Sequence, residues 1–310
     1  MKLLFIGDLQ FGRNSDKKCL FKIPDNIIKI FNNTDAIFFN LETVLLSKSF
    51  DVNKHLLRDK HIHIYNDNEE NISYIKSVTH KPIFVSTINN HTFDYNVQGY
   101  KNTLELLDKN NYIFTVNKTY YIDDNFIYLN ATDHWTILNN NLDKYPKNTA
   151  LWDDNCLVID SYEKVQYTYN LITYLNKLKK HRKIVFSIHW GQNFQNNHNT
   201  TTYLHLKADD FFKTLCNLGT DVIFGHGAHH IMNKSHEIYN NKLIIYGLGD
   251  FTGDFEYVKE YNTDKSAMLI YDTTNNTVQK ILVSGHYKPY ENNNNENNNN
   301  EIMICKQPYI

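Results

Sequence analysis

The chain has 310 residues, of which 41% are hydrophobic and 21% are charged, a composition typical of a folded globular protein. Lys and Arg total 32 against 34 Asp and Glu, so the chain lacks the basic excess of proteins that bind duplex nucleic acid. No apolar run reaches the ~18 residues that a bilayer-spanning helix needs, so we expect no membrane segment.

Short apolar runs of strand length recur along the chain, most of them rich in β-branched or aromatic residues. They predict strands over residues 3–6, 36–39, 83–85, 126–129, 184–188, 222–224, 243–246 and 267–271. Apolar residues at three- and four-residue spacing predict helices over residues 24–31, 98–107, 165–178 and 206–218. Gly219 follows the last of these helices, where a C-terminal glycine is common. Strands that alternate with helices indicate an α/β layered fold.

The domain organisation follows from composition. Residues 1–288 contain no internal repeat and no second linker, so we expect one domain over this range. Residues 289–301 form an Asn-rich, low-complexity linker that has little apolar surface to bury, and we expect it to be disordered. Residues 302–310 are a C-terminal tail with several apolar side chains, which either folds back onto the domain or stays detached.

The compartment is indicated by the cysteines and the first residues. The cysteines are widely spaced, which argues against a disulfide framework and a zinc knuckle, and fits a reducing compartment. Residues 1–8 lack the pattern of a signal peptide. We therefore expect a cytoplasmic protein, or one of the host cytoplasm or virion if its gene is viral. The abundance of Asn, Ile, Lys and Tyr, which share A/T-rich codons, indicates an A/T-rich genome.

Polar clusters follow most of the predicted strands. They are Gly7-Asp8, Asn40-Leu41-Glu42, Asn89-Asn90-His91 with Asp94, and residues 189–193, 225–230 and 247–251. Ligands of open α/β sheets bind at the carboxyl ends of the strands. We therefore expect these clusters to form one shared site.

The residue types of this shared site indicate bound metal. Carboxylate, amide and imidazole ligands without thiolate suit Mn, Fe, Zn or Mg. The candidates outnumber what one ion needs, and they fit two divalent ions about 3.5–4 Å apart that share a carboxylate. The chain has neither a P-loop nor a G-x-S-x-G motif, which excludes P-loop nucleotidases and serine hydrolases of the nucleophile-elbow type.

The ordered set of motifs resembles the CapA family of poly-γ-glutamate capsule biosynthesis proteins, relatives of the calcineurin-like metallophosphoesterases. The resemblance covers residues 1 to about 285. Gly227-Ala228 and Asp250 depart from the commonest family motifs, and the chain here resembles a branch that writes G-H-S-S-H-H and Y-G-x-G-D-F. The resemblance implies a four-layer α/β/β/α sandwich of the metallo-dependent phosphatase type, in which two mixed sheets face each other and the helices lie outside.

The resemblance also implies a set of metal ligands. Asp8 and His229 would bind the first ion, Glu42 would bridge, and the second ion would be bound by Asn90, His189 and His226. The usual phosphoesterase motif Asp-x-His is Asp8-Leu9-Gln10 here, so one imidazole of the first site is missing. Either that site is weaker, or Gln10 or Asp250 fills the position.

Further roles follow from the same resemblance. His91 would be the acid that protonates the leaving group, which suits an imidazole because it titrates near neutral pH. Asp94 would orient His91, and Arg13 would clamp an anionic substrate. The residues expected to contact substrate or support the ligands are Asn40, Asn89, Asn193, His230 and Asp250. For His230 and Asp250 a structural role explains the residue equally well.

Two clusters outside these motifs leave alternatives open. His61-x-His63, with His55 nearby, is either a metal site or an exposed strand face. The segment Asp133-His134-Trp135 is either a wall of the substrate cleft or a loop packed by its tryptophan.

We expect a binuclear-metal hydrolase, in which a hydroxide held by the metals attacks a phosphoester or related anionic polymer bond and His91 acts as acid. The expected partner is therefore an anionic small-molecule or polymer substrate. The alternative is a non-hydrolytic protein that makes or binds poly-γ-glutamate. The sequence does not name the substrate, the metal or the oligomeric state.

Overall fold

The computed structural model describes residues 1–11, 21–56, 63–66, 69–116, 119–133, 155–196, 207–252, 258–285 and 303–309. The helices in these ranges are α1 (Asp25–Asn32), α2 (Val52–His55), α3 (Glu69–Ser77), α4 (Asn96–Lys109), α5 (Tyr162–Leu178) and α6 (Ala208–Leu218), with a 3₁₀ turn at Lys259–Tyr261. The strands are β1 (Lys2–Leu9), β2 (Phe21–Lys22), β3 (Ala36–Leu41), β4 (Val44–Leu45), β5 (Tyr65–Asn66), β6 (Ile83–Ser86), β7 (Tyr121–Ile122), β8 (Phe126–Asp133), β9 (Val158–Ile159), β10 (Lys183–His189), β11 (Val222–His226), β12 (His236–Tyr239), β13 (Lys242–Ile245), β14 (Asp250–Thr252), β15 (Lys265–Asp272), β16 (Thr277–Gly285) and β17 (Met303–Tyr309).

Two mixed sheets carry most of these strands. The first has the order β2-β17-β16-β15-β1-β3-β6, with β14 also paired to β1. Strands β3 and β14 pair parallel with β1, and β6 pairs parallel with β3. Strand β15 pairs antiparallel with both β1 and β16. The second sheet has the order β12-β13-β11-β10-β8-β7, with β9 beside β8, and its centre is parallel. A separate short pair joins β4 to β5.

One hydrophobic cluster joins the two sheets. It contains Phe5, Phe38 and Phe84 of the first sheet together with Tyr128 and Phe224 of the second. The rings of Phe38 and Phe84 stack with centroids 4.7 Å apart, and Phe5 stacks on Phe38 at 4.8 Å. Burial of large aromatic rings from both sheets is a strong stabilising contribution.

The outer face of each sheet is covered by helices. On the first sheet, Phe31 of α1, Ile75 of α3 and Leu107 of α4 share a cluster with strand residues. On the second sheet, Leu175 of α5 and Leu215 of α6 do the same. The predicted α/β fold class is therefore confirmed, and every strand and helix predicted from the sequence overlaps an observed element.

The C-terminal tail contributes a strand. The backbone of β17 pairs antiparallel with β16 and parallel with β2. The predicted linker at residues 289–301 lies outside the described residues. Within the described ranges, no helix combines the length and apolar character needed to cross a bilayer.

An irregularity in β1 decides which of its side chains face the second sheet. Before it, Leu4 and Ile6 point to the helices and Phe5 points to the second sheet. The pairing with β3 shifts register between Phe5 and Asp8, and beyond the shift Leu9 joins the helix side. Because side chains alternate along a strand, Asp8 then faces the second sheet. At the irregularity lies Gly7, where a Cβ would stand 1.7 Å from the Gly249 carbonyl oxygen.

Candidate metal centre

Two buried carboxylates lie at the ends of neighbouring strands. Asp8 is 1% exposed and Glu42, which directly follows β3, is fully buried. The Asp8 carboxylate accepts hydrogen bonds from Asn40 Nδ2 at 2.8 Å and from the Gly227 amide at 3.1 Å. Burial, reinforced by the nearby Glu42 and Asp250, raises the pKa of Asp8 to about 7. A cation between the two carboxylates would offset the unfavourable burial of their negative charges.

Three imidazoles surround one oxygen of Glu42. The Nε2 atoms of His91, His189 and His229 lie 3.8, 3.7 and 3.7 Å from Glu42 Oε1. These distances exceed the ~2.7–3.2 Å of a hydrogen bond. For His189 and His229 they suit atoms that share a metal ion with Glu42, because each metal–ligand bond is about 2.0–2.2 Å long. For His91 they place Nε2 beside the same oxygen without a direct hydrogen bond. Glu42 is therefore at the centre of the cluster of imidazoles.

His226 presents an open nitrogen to the same region. Its Nε2 lies 3.0 Å from Ser187 Oγ, and its Nδ1 lies 3.9 Å from Asp8 Oδ1. Within the described residues, this Nδ1 has no hydrogen-bond partner although the residue is buried. Burial, and secondarily His189, holds the pKa of His226 well below its usual range. A neutral imidazole with one open nitrogen is the form that binds metal.

His229 is held by a carboxylate on its other nitrogen. Its Nδ1 lies 3.0 Å from Asp250 Oδ1, which directs Nε2 toward Glu42. Burial alone lowers the pKa of His229, but the charges of Asp250 and Glu42 outweigh burial and raise the pKa to about 10. The residue adopts φ +61°, a left-handed conformation that is uncommon outside glycine. Asp8, Glu42 and His229 offer ligand atoms within 4.8 Å of one another.

His91 is oriented by Asp94. The Nδ1 atom of His91 lies 2.8 Å from Asp94 Oδ2, and both residues are buried. The same Asp94 oxygen accepts a hydrogen bond from the Ile64 amide at 2.7 Å. These contacts fix the ring so that Nε2 points at Glu42.

A chain of side-chain amides connects Asp8 to His91. Asn40 donates to Asp8, and Asn89 Nδ2 donates to Asn40 Oδ1 at 3.1 Å. Asn89 Oδ1 in turn accepts a hydrogen bond from the backbone amide of His91 at 3.0 Å. Asn40 and Asn89 therefore hold the Asp8 side chain and the His91 backbone in place. Asn90, the predicted second-site ligand, is buried between Asn89 and His91 in the same loop.

The remaining predicted residues are less central or lie outside the described ranges. Both ring nitrogens of His230 are engaged, by Ala228 O and Asn196 Oδ1 at 2.7 Å each, and Asn193 is exposed. His55 packs on Phe50 and His63 on Tyr95. The predicted residues outside the described ranges are Arg13, His61, His134 and Trp135.

Two supporting residues had no clear sequence signal. Ser187 lies two positions before His189 on β10, so alternation places both on one face, but a serine in an apolar strand is commonplace. Asp133 accepts a hydrogen bond from the Gly191 amide at 2.9 Å and so anchors the loop after β10. The sequence marked Asp133 as part of a possible cleft wall and not as an anchor.

The fold and the site together define a mixed α/β protein with a buried Asp, Glu and His cluster at the carboxyl ends of its strands. The chain belongs to the family of the bacterial capsule synthesis protein PGA_cap, whose model matches residues 2–254. The predicted family is therefore confirmed.

Curated relatives carry related names. The PGA biosynthesis protein CapA of Bacillus subtilis (strain 168) is 28% identical, over 88% of this chain and 67% of that protein. The capsule biosynthesis protein CapA of Bacillus anthracis is 21% identical, over 89% of this chain and 64% of that protein. The chain thus spans about two thirds of the length of these relatives. A crystal structure of a hypothetical protein from Thermus thermophilus matches 91% of this chain and 98% of its own, at a TM-score of 0.46 and 8% identity.

Proposed function

We propose that the protein is a two-metal hydrolase of the metallophosphoesterase type, which cleaves a phosphoester or a related bond of an anionic polymer. The observation that carries the proposal is that the Nε2 atoms of His189 and His229 both lie 3.7 Å from one buried oxygen of Glu42, with the Nε2 of His91 3.8 Å from the same oxygen. Two mixed sheets with a shared core and helices on their outer faces are also consistent with the four-layer sandwich of that enzyme class.

The donor set fits two divalent ions. Asp8, Glu42 and His229 offer ligand atoms within 4.8 Å of one another and would hold the first ion. His189 and His226 come from the second sheet and would hold the other ion, together with Asn90. The open Nδ1 of His226 supports a ligand role for this residue, since a buried nitrogen without a hydrogen bond is unfavourable unless it has a ligand. When bound, the ions would supply an activated water and neutralise charge on the substrate.

His91 is suited to proton transfer. The Asp94 carboxylate contacts Nδ1 of His91 and would stabilise a proton on that nitrogen. The other nitrogen, Nε2, faces Glu42 and would carry the proton that is transferred. A departing oxygen or nitrogen next to Glu42 would receive the proton from Nε2. Asp94 keeps the ring in that orientation, since its carboxylate also accepts the Ile64 amide hydrogen.

The relatives' names concern capsule and PGA biosynthesis, which favours an anionic polymer as substrate. Neutralisation of charge by two cations suits phosphoryl groups and carboxylate-rich chains alike. The metals themselves are Mn, Fe, Zn or Mg, all of which accept oxygen and nitrogen ligands.

The test is hydrolysis by the Mn-loaded protein of a phosphodiester, a phosphomonoester and poly-γ-glutamate, compared with Glu42→Gln. We expect turnover of at least one of these substrates, and loss of that turnover in the variant. Glu237→Gln, a change in a carboxylate on β12 outside the cluster, is the matched control and should keep activity. Polymer binding without turnover in the metal-loaded protein would contradict the proposal and favour a non-hydrolytic biosynthesis or binding protein.

A further inference from the structure

Gln10 occupies a position level with Glu42 on the neighbouring strand. In the parallel pairing of β1 with β3, Asp8 is opposite Asn40 and Leu9 is opposite Leu41. The Glu42 amide donates to Leu9 O at 2.9 Å, so the alignment continues past the strand ends. The next residues on the two strands are Gln10 and Glu42, about 4.8 Å apart as in any sheet.

Both side chains leave the sheet on the same face. Leu9 and Leu41 pack in the cluster on the helix side of the sheet, and Phe11 does so as well. Since side chains alternate along a strand, Gln10 and Glu42 point to the opposite face, where Asp8 already lies. Gln10 is therefore directed toward the metal cluster and away from the helices.

The Gln10 amide has no partner there. The residue is 1% exposed, and in the described part of the chain neither its Oε1 nor its Nε2 has a hydrogen-bond partner. Its backbone amide, by contrast, donates to Thr252 O at 2.9 Å. A buried amide that makes no hydrogen bond is unfavourable, and an ion bound to its oxygen would offset that cost.

The other candidate for the missing imidazole position is Asp250, and its Oδ1 already faces His229 Nδ1 at 3.0 Å. Asp250 thus orients a ligand. We propose that Gln10 Oε1 is itself a ligand of the first metal ion, beside Asp8, Glu42 and His229. This inference rests on the proposed two-metal site.

The assignment makes the two sites chemically different. With Gln10, the first ion would have oxygen ligands from three residues and one imidazole, whereas the second would have two imidazoles beside the oxygens of Glu42 and Asn90. Side-chain amide oxygens and carboxylates favour Mn²⁺ or Mg²⁺, and imidazole suits Zn²⁺. We therefore infer that the first site prefers Mn²⁺ over Zn²⁺.

The experiment uses the full chain, stripped with chelator, and the variants Gln10→Leu, Gln10→Glu and Gln10→His. Binding of Mn²⁺ and Zn²⁺ is measured by titration calorimetry, and thermal unfolding is measured without metal. In Gln10→Leu we expect one Mn²⁺ to bind as in the wild type and the other to bind roughly 10- to 100-fold more weakly. The melting temperature of Gln10→Leu without metal should equal or exceed that of the wild type, since a buried amide without a hydrogen bond has been removed.

The other variants distinguish a ligand from a space-filling residue. Gln10→Glu keeps an oxygen and should bind two Mn²⁺, while Gln10→His should shift the Mn²⁺ to Zn²⁺ affinity ratio of one site at least tenfold toward Zn²⁺. The matched control is Gln195→Leu, which removes another buried glutamine whose Oε1 has no hydrogen-bond partner in the described residues. This control should keep both ions.

Two outcomes would overturn the assignment. Wild-type affinity for both ions in Gln10→Leu would show that Gln10 is not a ligand. Loss of both ions together with a lower melting temperature in the absence of metal would assign Gln10 a structural role. If the unmodified protein itself binds no metal, the two-metal proposal fails first, and the Gln10 variants are not responsible.

Discussion

At the scale of single residues, protonation controls the candidate metal centre. The pKa of Asp8 is raised to about 7, first by burial and then by the neighbouring carboxylates. The pKa of His229 is raised to about 10, because Asp250 and Glu42 outweigh the effect of its burial. Both groups must lose a proton before they bind a metal ion. Burial lowers the pKa of His226, so its imidazole is already neutral near pH 7 and need not release a proton when metal binds.

Metal affinity should consequently rise with pH. Below pH 7 both Asp8 and His229 carry protons in the metal-free protein, so binding releases protons and the affinity increases about tenfold per pH unit for each proton released. Above pH 7 the dependence should become shallower, because His229 alone still releases a proton. Calorimetric titration of Mn²⁺ at pH 6 in two buffers of different ionisation enthalpy measures the protons released. An affinity that is constant from pH 5.5 to 8 would show that these groups are not ligands.

His91→Ala should separate catalysis from metal binding. Removal of a general acid lowers turnover by roughly 10²- to 10⁴-fold, while both ions should remain bound if His91 donates a proton and does not hold a metal. Turnover and metal content are measured on the same preparation. Asp94→Asn, which weakens the orientation of the ring, should lower turnover by less and keep both ions. Loss of an ion in His91→Ala would make His91 a ligand.

At the scale of elements, the irregularity at Gly7 decides where Asp8 points. Apolar residues on both sides of β1 gave a clear strand signal, because the strand is buried on both faces. That same pattern has no alternation, so the register shift between Phe5 and Asp8 could not be predicted. The two-residue strands β2, β4, β5, β7 and β9 were also not predicted, since contacts with distant segments form them and local propensity does not. Helix α3 was missed because its apolar residues are few among polar ones.

The convergence of the candidate site residues was more predictable than these small elements. Asp8, Glu42, His91, His189, His226 and His229 each follow or end a strand, and parallel strands bring their carboxyl ends together. Their supports depend on contacts across strands, such as Asn89 with Asn40, and on the conformation of single residues, such as the left-handed His229. A single sequence carries no signal for either.

Gly7→Ala tests the role of the irregularity. The new Cβ would lie 1.7 Å from the Gly249 carbonyl oxygen, so β1 and the segment before β14 must move apart. We expect a loss of stability of roughly 1–3 kcal/mol or more, together with weaker metal binding because Asp8 and Asp250 separate. Chemical denaturation and metal titration measure the two effects.

The matched control for this change is Gly247→Ala. Its Cβ would meet the flexible Met232 side chain at 3.0 Å, which can adjust. The control should cost less stability and keep the metals. Equal effects of the two substitutions would show that close approach at Gly7 has no special role in the site.

At the scale of the whole molecule, the candidate ligands come from both sheets. Asp8 and Glu42 belong to the first sheet, and His189 and His226 belong to the second. Bound metal would therefore link the two halves of the fold, beyond their shared aromatic cluster. In the metal-free state the same region holds carboxylates and imidazoles in a buried cluster, which is unfavourable.

Metal should accordingly stabilise the entire chain. At a free metal concentration 100 times the dissociation constant, one site adds about 2.7 kcal/mol, which corresponds to a rise in melting temperature of roughly 3–8 °C. Thermal unfolding with chelator and then with added Mn²⁺ measures this rise. Glu42→Gln should show almost no rise, and an equal rise in the variant would place the metal elsewhere.

The central claim is that the chain holds two metal ions around Glu42, and metal content per chain tests it most directly. The protein is purified without chelator or affinity-column nickel, incubated with Mn, Fe or Zn, freed of unbound metal and subjected to elemental analysis. We predict close to two equivalents per chain, and loss of both in Glu42→Ala. Absence of metal under every condition, or two equivalents retained by Glu42→Ala, would contradict the account.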